Sequence, residues 1–285
     1  MQSVASKASP CFLLSSPRAG STLVSRVLDS HSKICSPCEI CVPYVVRTCW
    51  KLHKSIASMR KICDHYDASI PRPTLRLARR QTARKHLDQL VQHILQAEGK
   101  ETLIIKDPRH AVHLPGIERL YADKPANFLL LHRDARAVCH SFVSTLGRKP
   151  ERGFRAWLEA SRQMLAFERA HSARCLSIHF EDFLSIPELT VARITKFLGH
   201  TFERSMLQYG QCSHTDNHLG LWTNPRLIRS VSRGAIDSAK QCEWWSNRAV
   251  LDMYEANPEV KELNRELGYD DADVTEEPTE VRRAA

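Results

Sequence analysis

Residues 15–22, SSPRAGST, set two pairs of hydroxyl-bearing residues around an arginine and a glycine, between an apolar run and an amphipathic stretch. At a helix N-terminus such a turn presents backbone N–H groups with no helical acceptor and the positive end of the helix dipole, which together bind an anion. Set against the phosphate-binding pattern G-x-x-x-x-G-K-[ST], Gly20 takes the second glycine and Ser15 the first. Thr22 takes the hydroxyl position, and Ser21 stands where the lysine belongs. The cation that reaches the β and γ phosphates of a nucleoside triphosphate is therefore missing. Arg18 sits inside the loop instead, with a planar guanidinium suited to a pair of non-bridging oxygens. The loop predicts a grip on a short anionic group at the end of a nucleotide.

A second cationic site follows the apolar run NFLLLH at 127–132. Arg133 comes directly after it, Asp134 is placed to cap the next helix, and Ser141 lies on that helix. Eight residues of helix rise about 12 Å, so one phosphate touches Arg133 and Ser141 only if the arginine folds back along the helix. Two further candidates are Glu39, in CSPCEICVP, and Lys106, which ends the run TLIIK. Glu39 lies beyond the first helix and so returns towards the end of the sheet that carries the loop. An unperturbed glutamate titrates at ~4.3, so service as a general base requires burial to raise it. Lys106, at the carboxyl end of a strand, points into the crevice where open α/β sheets bind ligands. His110 is the alternative base. His31, His132 and His179 read as structural residues, and Arg109 as a salt-bridge partner.

The stretch SSPRAGSTLVSRVLDSH resembles the 5′-phosphosulfate loop of sulfotransferases that use 3′-phosphoadenosine-5′-phosphosulfate (PAPS), usually P-R-S-G-T-T; Ala19 and Ser21 stand where Ser and Thr are common. FLLLHRDARAVCHSF is similar to the family's R-D-P-R-A-V-x-x-S pattern, with Ala135 in place of proline. IHFEDFLSIPELTVARITKFLG is similar to its Y-E-D-L…P…FLG segment, with Phe180 in place of tyrosine. TNPRLIRSVSRGAIDSAKQCEWW resembles the C-terminal loop that closes over the nucleotide, and makes Arg226, Arg229 and Arg233 candidate phosphate contacts. The likeness spans about residues 11–268. It implies a three-layer, P-loop-like α/β fold and sulfuryl transfer from PAPS to an alcohol or phenol. It implies that Arg18, Ala19, Gly20, Ser21 and Thr22 hold the 5′-phosphosulfate, and that Arg133 and Ser141 hold the 3′-phosphate. Lys106 is then the stabiliser of transition-state charge, and Glu39 the base, as in tyrosylprotein sulfotransferases. Pro108 occupies the position of the histidine used by the cytosolic small-molecule enzymes. No metal is implied. On the residues alone, a phosphoryl-transfer kinase with a degenerate loop and a non-catalytic nucleotide-binding protein stay open as alternatives.

The elements that must position these groups are four buried strands at 11–15, 102–106, 127–132 and 175–180, each followed by helix-like sequence. Their apolar runs alternate little, as strands covered on both faces do, and strand–helix alternation predicts a parallel sheet under helices. Helices are expected after the loop, with Ser25, Arg26 and Asp29 facing outward, and over 74–97, 154–170, 187–199 and 246–267, the last interrupted at Pro258. The sequence divides into a flexible start at 1–10, a sulfotransferase domain at 11–269 and a disordered acidic tail at 270–285.

Its 285 residues are 42% hydrophobic, enough for one large α/β domain, and 41 Lys and Arg against 32 Asp and Glu give a net charge of +9. That charge favours anionic partners. The basic run Arg72 to Lys85 lies on a leucine-faced helix without interleaved aromatics, so it reads as a solvated face rather than a nucleic-acid site. No stretch approaches the ~20 apolar residues of a membrane helix, and MQSVASKASP has no apolar signal core, so the expected compartment is cytoplasmic. Cys35, Cys38 and Cys41 form C-x2-C-x2-C but lack the fourth cysteine of a cluster motif, and read as a cysteine-rich turn. Residues 43–100 are expected to wall the acceptor, where Arg47, Trp50 and Tyr66 suit a glycan, an acidic peptide or a small phenol alike.

Overall fold

The four apolar runs form strands, and a fifth, very short strand joins them. In the computed structural model, which describes residues 10–37, 39–47, 52–67, 69–212, 236 and 243–269, these are β1 (Cys11–Ser15), β2 (Ile34–Cys35), β3 (Thr102–Lys106), β4 (Asn127–His132) and β5 (Cys175–His179). They lie in the order β2-β3-β1-β4-β5, and every pairing is parallel. Each crossover therefore needs a covering segment, and most of the helices serve that purpose.

Those helices are α1 (Ser21–Asp29), α2 (Leu52–His65), α3 (Arg80–Glu98), α4 (Leu114–Leu120), α5 (Ala135–Leu146), α6 (Pro150–His171), α7 (Phe180–Ser185), α8 (Pro187–Phe197), α9 (Arg248–Glu255) and α10 (Pro258–Glu266). Strand residues alternate between two cores. Phe12, Leu14, Leu103, Ile105, Phe128 and Leu130 pack with Leu87, Leu90 and Ile94 of α3 and Met164 and Phe167 of α6. Cys11, Leu13, Ile104, Leu129 and Leu131 pack with Val24, Val27 and Leu28 of α1 and Val191 and Ile194 of α8. Both strand faces are apolar because both are covered. A third core joins Ala19 of the loop and Val138 of α5 to Trp157 of α6, Tyr254 of α9 and Leu263 of α10.

Several boundaries differ from expectation. The helix expected over 74–97 breaks at Arg79, which is extended, so a short 3-10 turn Leu75–Ala78 precedes α3. α6 begins four residues early because Pro150 supplies a ready-made first turn. β5 stops at His179, where Phe180 opens α7. Asn257 caps α10 through its side chain, which separates it from α9. β2 and α2 were not foreseen: β2 has two residues, and the apolar face of α2 (Ile56, Met59, Ile62, Cys63) is diluted by His and Lys. Ser25, Arg26 and Asp29 are buried, contrary to the outward face expected for α1. The segment running from α1 through β2 covers them: the Ser36 N–H donates to Asp29 Oδ1 at 2.7 Å, and Lys100 pairs with Asp29. Among the described residues, no helix is long and apolar enough to cross a membrane.

Candidate active site

β1 is flanked by β3 on one side and β4 on the other, so the connections leaving their carboxyl ends diverge and open a crevice there. The three groups singled out in the sequence sit at those three strand ends. After β1 the chain bends sharply: Arg18 has φ +74° and Gly20 φ +95°, both in the left-handed region. Arginine rarely adopts that conformation, and strain of this kind gathers at functional turns. Glycine is required at position 20 twice over, since a Cβ there would fall 2.2 Å from the Phe180 ring. Gly20 is the N-cap of α1 and makes no side-chain cap; the Leu23 N–H donates to its carbonyl at 2.9 Å, and the Ser21 and Thr22 amides open the helix without a capping hydroxyl. Ser21 is buried in that turn, and Thr22 is half-buried beside it.

The Arg18 side chain crosses to α5, donating from Nε to Ser141 Oγ at 3.1 Å and from Nη2 to Thr145 Oγ1 at 3.4 Å. Arg133 Nη1 donates to the Arg18 carbonyl at 3.2 Å, and its guanidinium lies 4.7 Å over the Phe180 ring. Arg18, Arg133 and Ser141 thus converge, and Phe180, standing where the resembled family has tyrosine, is the floor beneath both Gly20 and Arg133. Burial, reinforced by the charge of Arg133, pulls the Arg18 guanidinium down to about 10. The Glu39 carboxylate acts on Arg18 in the opposite sense, raising its value. Thr145 was not anticipated; its spacing of four residues from Ser141 put it on the same helical face.

Glu39 and Lys106 meet at the end of β3. Lys106 Nζ donates to Glu39 Oε1 at 3.1 Å, with 5% of the lysine side chain and 19% of the glutamate exposed. The backbone enforces this contact. Glu39 forms a parallel bridge with Lys106, and the Ile40 N–H donates to the Lys106 carbonyl at 3.0 Å. Between the Cys35–Leu103 and Glu39–Lys106 pairings the first chain is one residue longer than the second. His110 does not reach the crevice: it is fully buried, its Nε2 accepts from the Val42 N–H at 3.2 Å, and burial lowers its pKa to about 4. It supports the segment that carries Glu39. Arg109 forms the salt bridge expected of it, gripping fully buried Asp107 through two guanidinium nitrogens.

His31 is structural, its ring bridging Thr201 O and the Lys33 N–H. Cys35 and Cys41 are buried in the core, and Cys38 lies outside the described residues. Among the described residues, no three His, Cys, Asp or Glu side chains gather as a metal site. Arg226, Arg229, Arg233 and Trp50 also lie outside the described residues.

The chain is 26% identical over 274 residues to a Caenorhabditis briggsae protein named "Putative protein-tyrosine sulfotransferase", spanning 89% of this chain and 86% of that one. It is 25% identical over 272 residues to protein-tyrosine sulfotransferase A of Caenorhabditis elegans, spanning 89% of this chain and 65% of that one. Among solved structures it shares the fold of the sulfotransferase domain from the Synechococcus PCC 7002 olefin synthase, with a TM-score of 0.69, 23% identity and coverage of 92% and 96%. Residues 10–204, more than half of the chain, match the model of the sulfotransferase family, and with the five-stranded parallel sheet and the loop after β1 in place, the chain belongs to that family of enzymes, which move a sulfuryl group to a hydroxyl.

Proposed function

We propose that PAPS is the donor and that it lies across the carboxyl ends of β1, β3 and β4. The residues present fit it. The first turn of α1 offers amides without a side-chain cap, and Gly20 leaves no side chain in the way. The neighbouring positive charges of Arg18 and Arg133 favour an anion. Arg18, Ala19, Gly20, Ser21 and Thr22 would hold the 5′-phosphosulfate, and Arg133 with Ser141 the 3′-phosphate. Bound there, PAPS supplies a sulfuryl group attached to a phosphate leaving group.

The protein's own residues do the rest. Glu39 takes the proton of the acceptor hydroxyl, as a base held in place by Lys106 and by its backbone bridge. Lys106, nearly fully buried and paired with Glu39, brings positive charge to where negative charge develops on the transferring group. His110 is buried and its Nε2 accepts from the Val42 N–H, which supports Glu39 over His110 as the base.

The observation that carries the reading is the contact of Arg18 with both Ser141 and Arg133, within reach of the charge of Glu39. The test is transfer of label from 35S-PAPS, paired with calorimetric titration of adenosine 3′,5′-bisphosphate and adenosine 5′-phosphate. Glu39→Gln is expected to abolish transfer and keep bisphosphate affinity. Arg133→Ala is expected to weaken the bisphosphate about tenfold or more, the loss of one charge-assisted contact, and the monophosphate little. Equal losses for both nucleotides, or an active Glu39→Gln, would refute the assignment. The acceptor is an alcohol or phenol of a peptide, glycan or small molecule. Tyrosine-bearing peptides head the screen because the relatives named above are protein-tyrosine sulfotransferases.

A further inference from the structure

The turn between β4 and α5, which carries Arg133, is held by residues from distant parts of the chain. The Arg133 carbonyl accepts from the Trp157 indole N–H at 2.8 Å. The Asp134 N–H donates to Glu181 Oε1 at 3.1 Å, and the Ala135 N–H to Asn264 Oδ1 at 2.9 Å. Asn264 is fully buried and donates its amide to the Tyr254 hydroxyl at 3.2 Å. The second oxygen of Glu181 accepts from the Tyr269 hydroxyl at 2.9 Å. The amides of Asp134 and Ala135 are thus already bonded within the protein. An anion at this strand end must be held by side chains, and its geometry depends on what fixes the turn.

Part of what fixes the turn is the end of α10. There Gly268 adopts φ +86°, its N–H donates to Arg265 O at 2.9 Å, and the Tyr269 N–H donates to Asn264 O at 3.0 Å. This is the glycine-capped reversal common at helix ends. It folds Tyr269 back so that its hydroxyl meets Glu181, while Asn264, one turn earlier, faces Ala135 from the same helix. Glu181 follows Phe180, the floor under Arg133, so both ends of this chain of contacts close on the arginine. Burial raises the Tyr269 hydroxyl well above its ordinary range, which keeps it a donor. Two donors on the Glu181 carboxyl require it as an acceptor on both oxygens.

We propose that Glu181, Asn264 and Tyr269 are positioning residues for the Arg133 clamp, so that the C-terminal helix α10 sets how tightly the protein holds a 3′-phosphate. This rests on the reading of Arg133 as the 3′-phosphate clamp. The measure is the ratio of affinities for adenosine 3′,5′-bisphosphate and adenosine 5′-phosphate, titrated into the full chain. Tyr269→Phe keeps the buried ring and deletes only the hydroxyl. It is expected to lower the bisphosphate affinity by about fivefold, less than the full loss of one hydrogen bond to a charged group because the hydroxyl acts through the turn, and to leave the monophosphate within about twofold. Glu181→Gln removes an acceptor from the same line and is expected to do at least as much. The double variant should lose little beyond Glu181→Gln alone, since the two residues act through one contact. In turnover the loss should fall on KM for PAPS rather than on kcat.

Arg133→Ala, measured alongside, separates the two levels of the argument. If it collapses the ratio while Tyr269→Phe and Glu181→Gln leave the ratio at its wild-type value, the positioning role is overturned and the clamp stands. Equal weakening of both nucleotides by Tyr269→Phe also overturns it, as that is loosening of the fold. If Arg133→Ala itself spares the ratio, the clamp assignment falls and the inference falls with it.

Discussion

Removing either partner of the Glu39–Lys106 pair should have an unequal and non-additive effect on stability. At 3.1 Å and an effective dielectric of ~20, the Coulomb attraction is about 5 kcal/mol, and desolvation of both groups offsets much of it. Only 5% of the lysine side chain is exposed, against 19% of the glutamate, so the stranded lysine is the costlier survivor. Glu39→Gln leaves a buried ammonium facing a neutral acceptor, and is expected to cost about 3 kcal/mol, at the low end for a broken buried pair. Lys106→Met leaves a carboxylate that water partly reaches, with a chain of similar length filling the space, and is expected to cost about 1–2 kcal/mol. The double variant strands no charge and should be more stable than Glu39→Gln, with a coupling energy of about 2 kcal/mol. Urea unfolding followed by tryptophan fluorescence measures all four proteins. Additive single effects would refute the coupling, and a costlier Lys106→Met would refute the argument from burial.

Gly20→Ala combines a left-handed backbone with a collision against Phe180; a loss of at least about 2 kcal/mol is expected, read by thermal shift, with bisphosphate affinity falling as the loop opens. Burial holds His110 and His132 neutral with pKa values lowered to about 4. The unfolded chain therefore binds more protons between about pH 4 and 6.5, and stability should rise with pH across that window by about 1 kcal/mol per unit for each histidine. His110→Gln should flatten the slope in urea unfolding at a series of pH values, and an unchanged slope would contradict the burial. Asp107→Asn leaves Arg109 without its fully buried carboxylate; it should cost about 3 kcal/mol in the same unfolding assay and impair turnover by loosening the segment that bears Glu39.

The strands were legible because burial on both faces leaves unbroken apolar runs, and the bounds of β1, β3 and β4 agree to the residue. Elements whose signal is short or diluted were not: β2 is two residues long, and α2 hides its apolar face among polar neighbours. The outward face expected of α1 failed for a tertiary reason, since Asp29 and Ser25 are buried against Ser36, a contact invisible in the period of the helix. His110 illustrates the same limit. Its position beside Lys106 suggested a base, and only packing shows its Nε2 already committed to Val42.

Order along the chain was enough to announce an anion-binding turn after β1, a cation at the end of β3 and another at the end of β4, because each is a local pattern of residue types. It could not say that Arg18 reaches Ser141, that Phe180 lies under both Gly20 and Arg133, or that Tyr269 holds Glu181. Those contacts join residues up to 160 positions apart, and they exist only once the parallel sheet has brought the carboxyl ends of its strands together. Residue identity sets what a side chain is able to do; the distance to its partner is set by the fold.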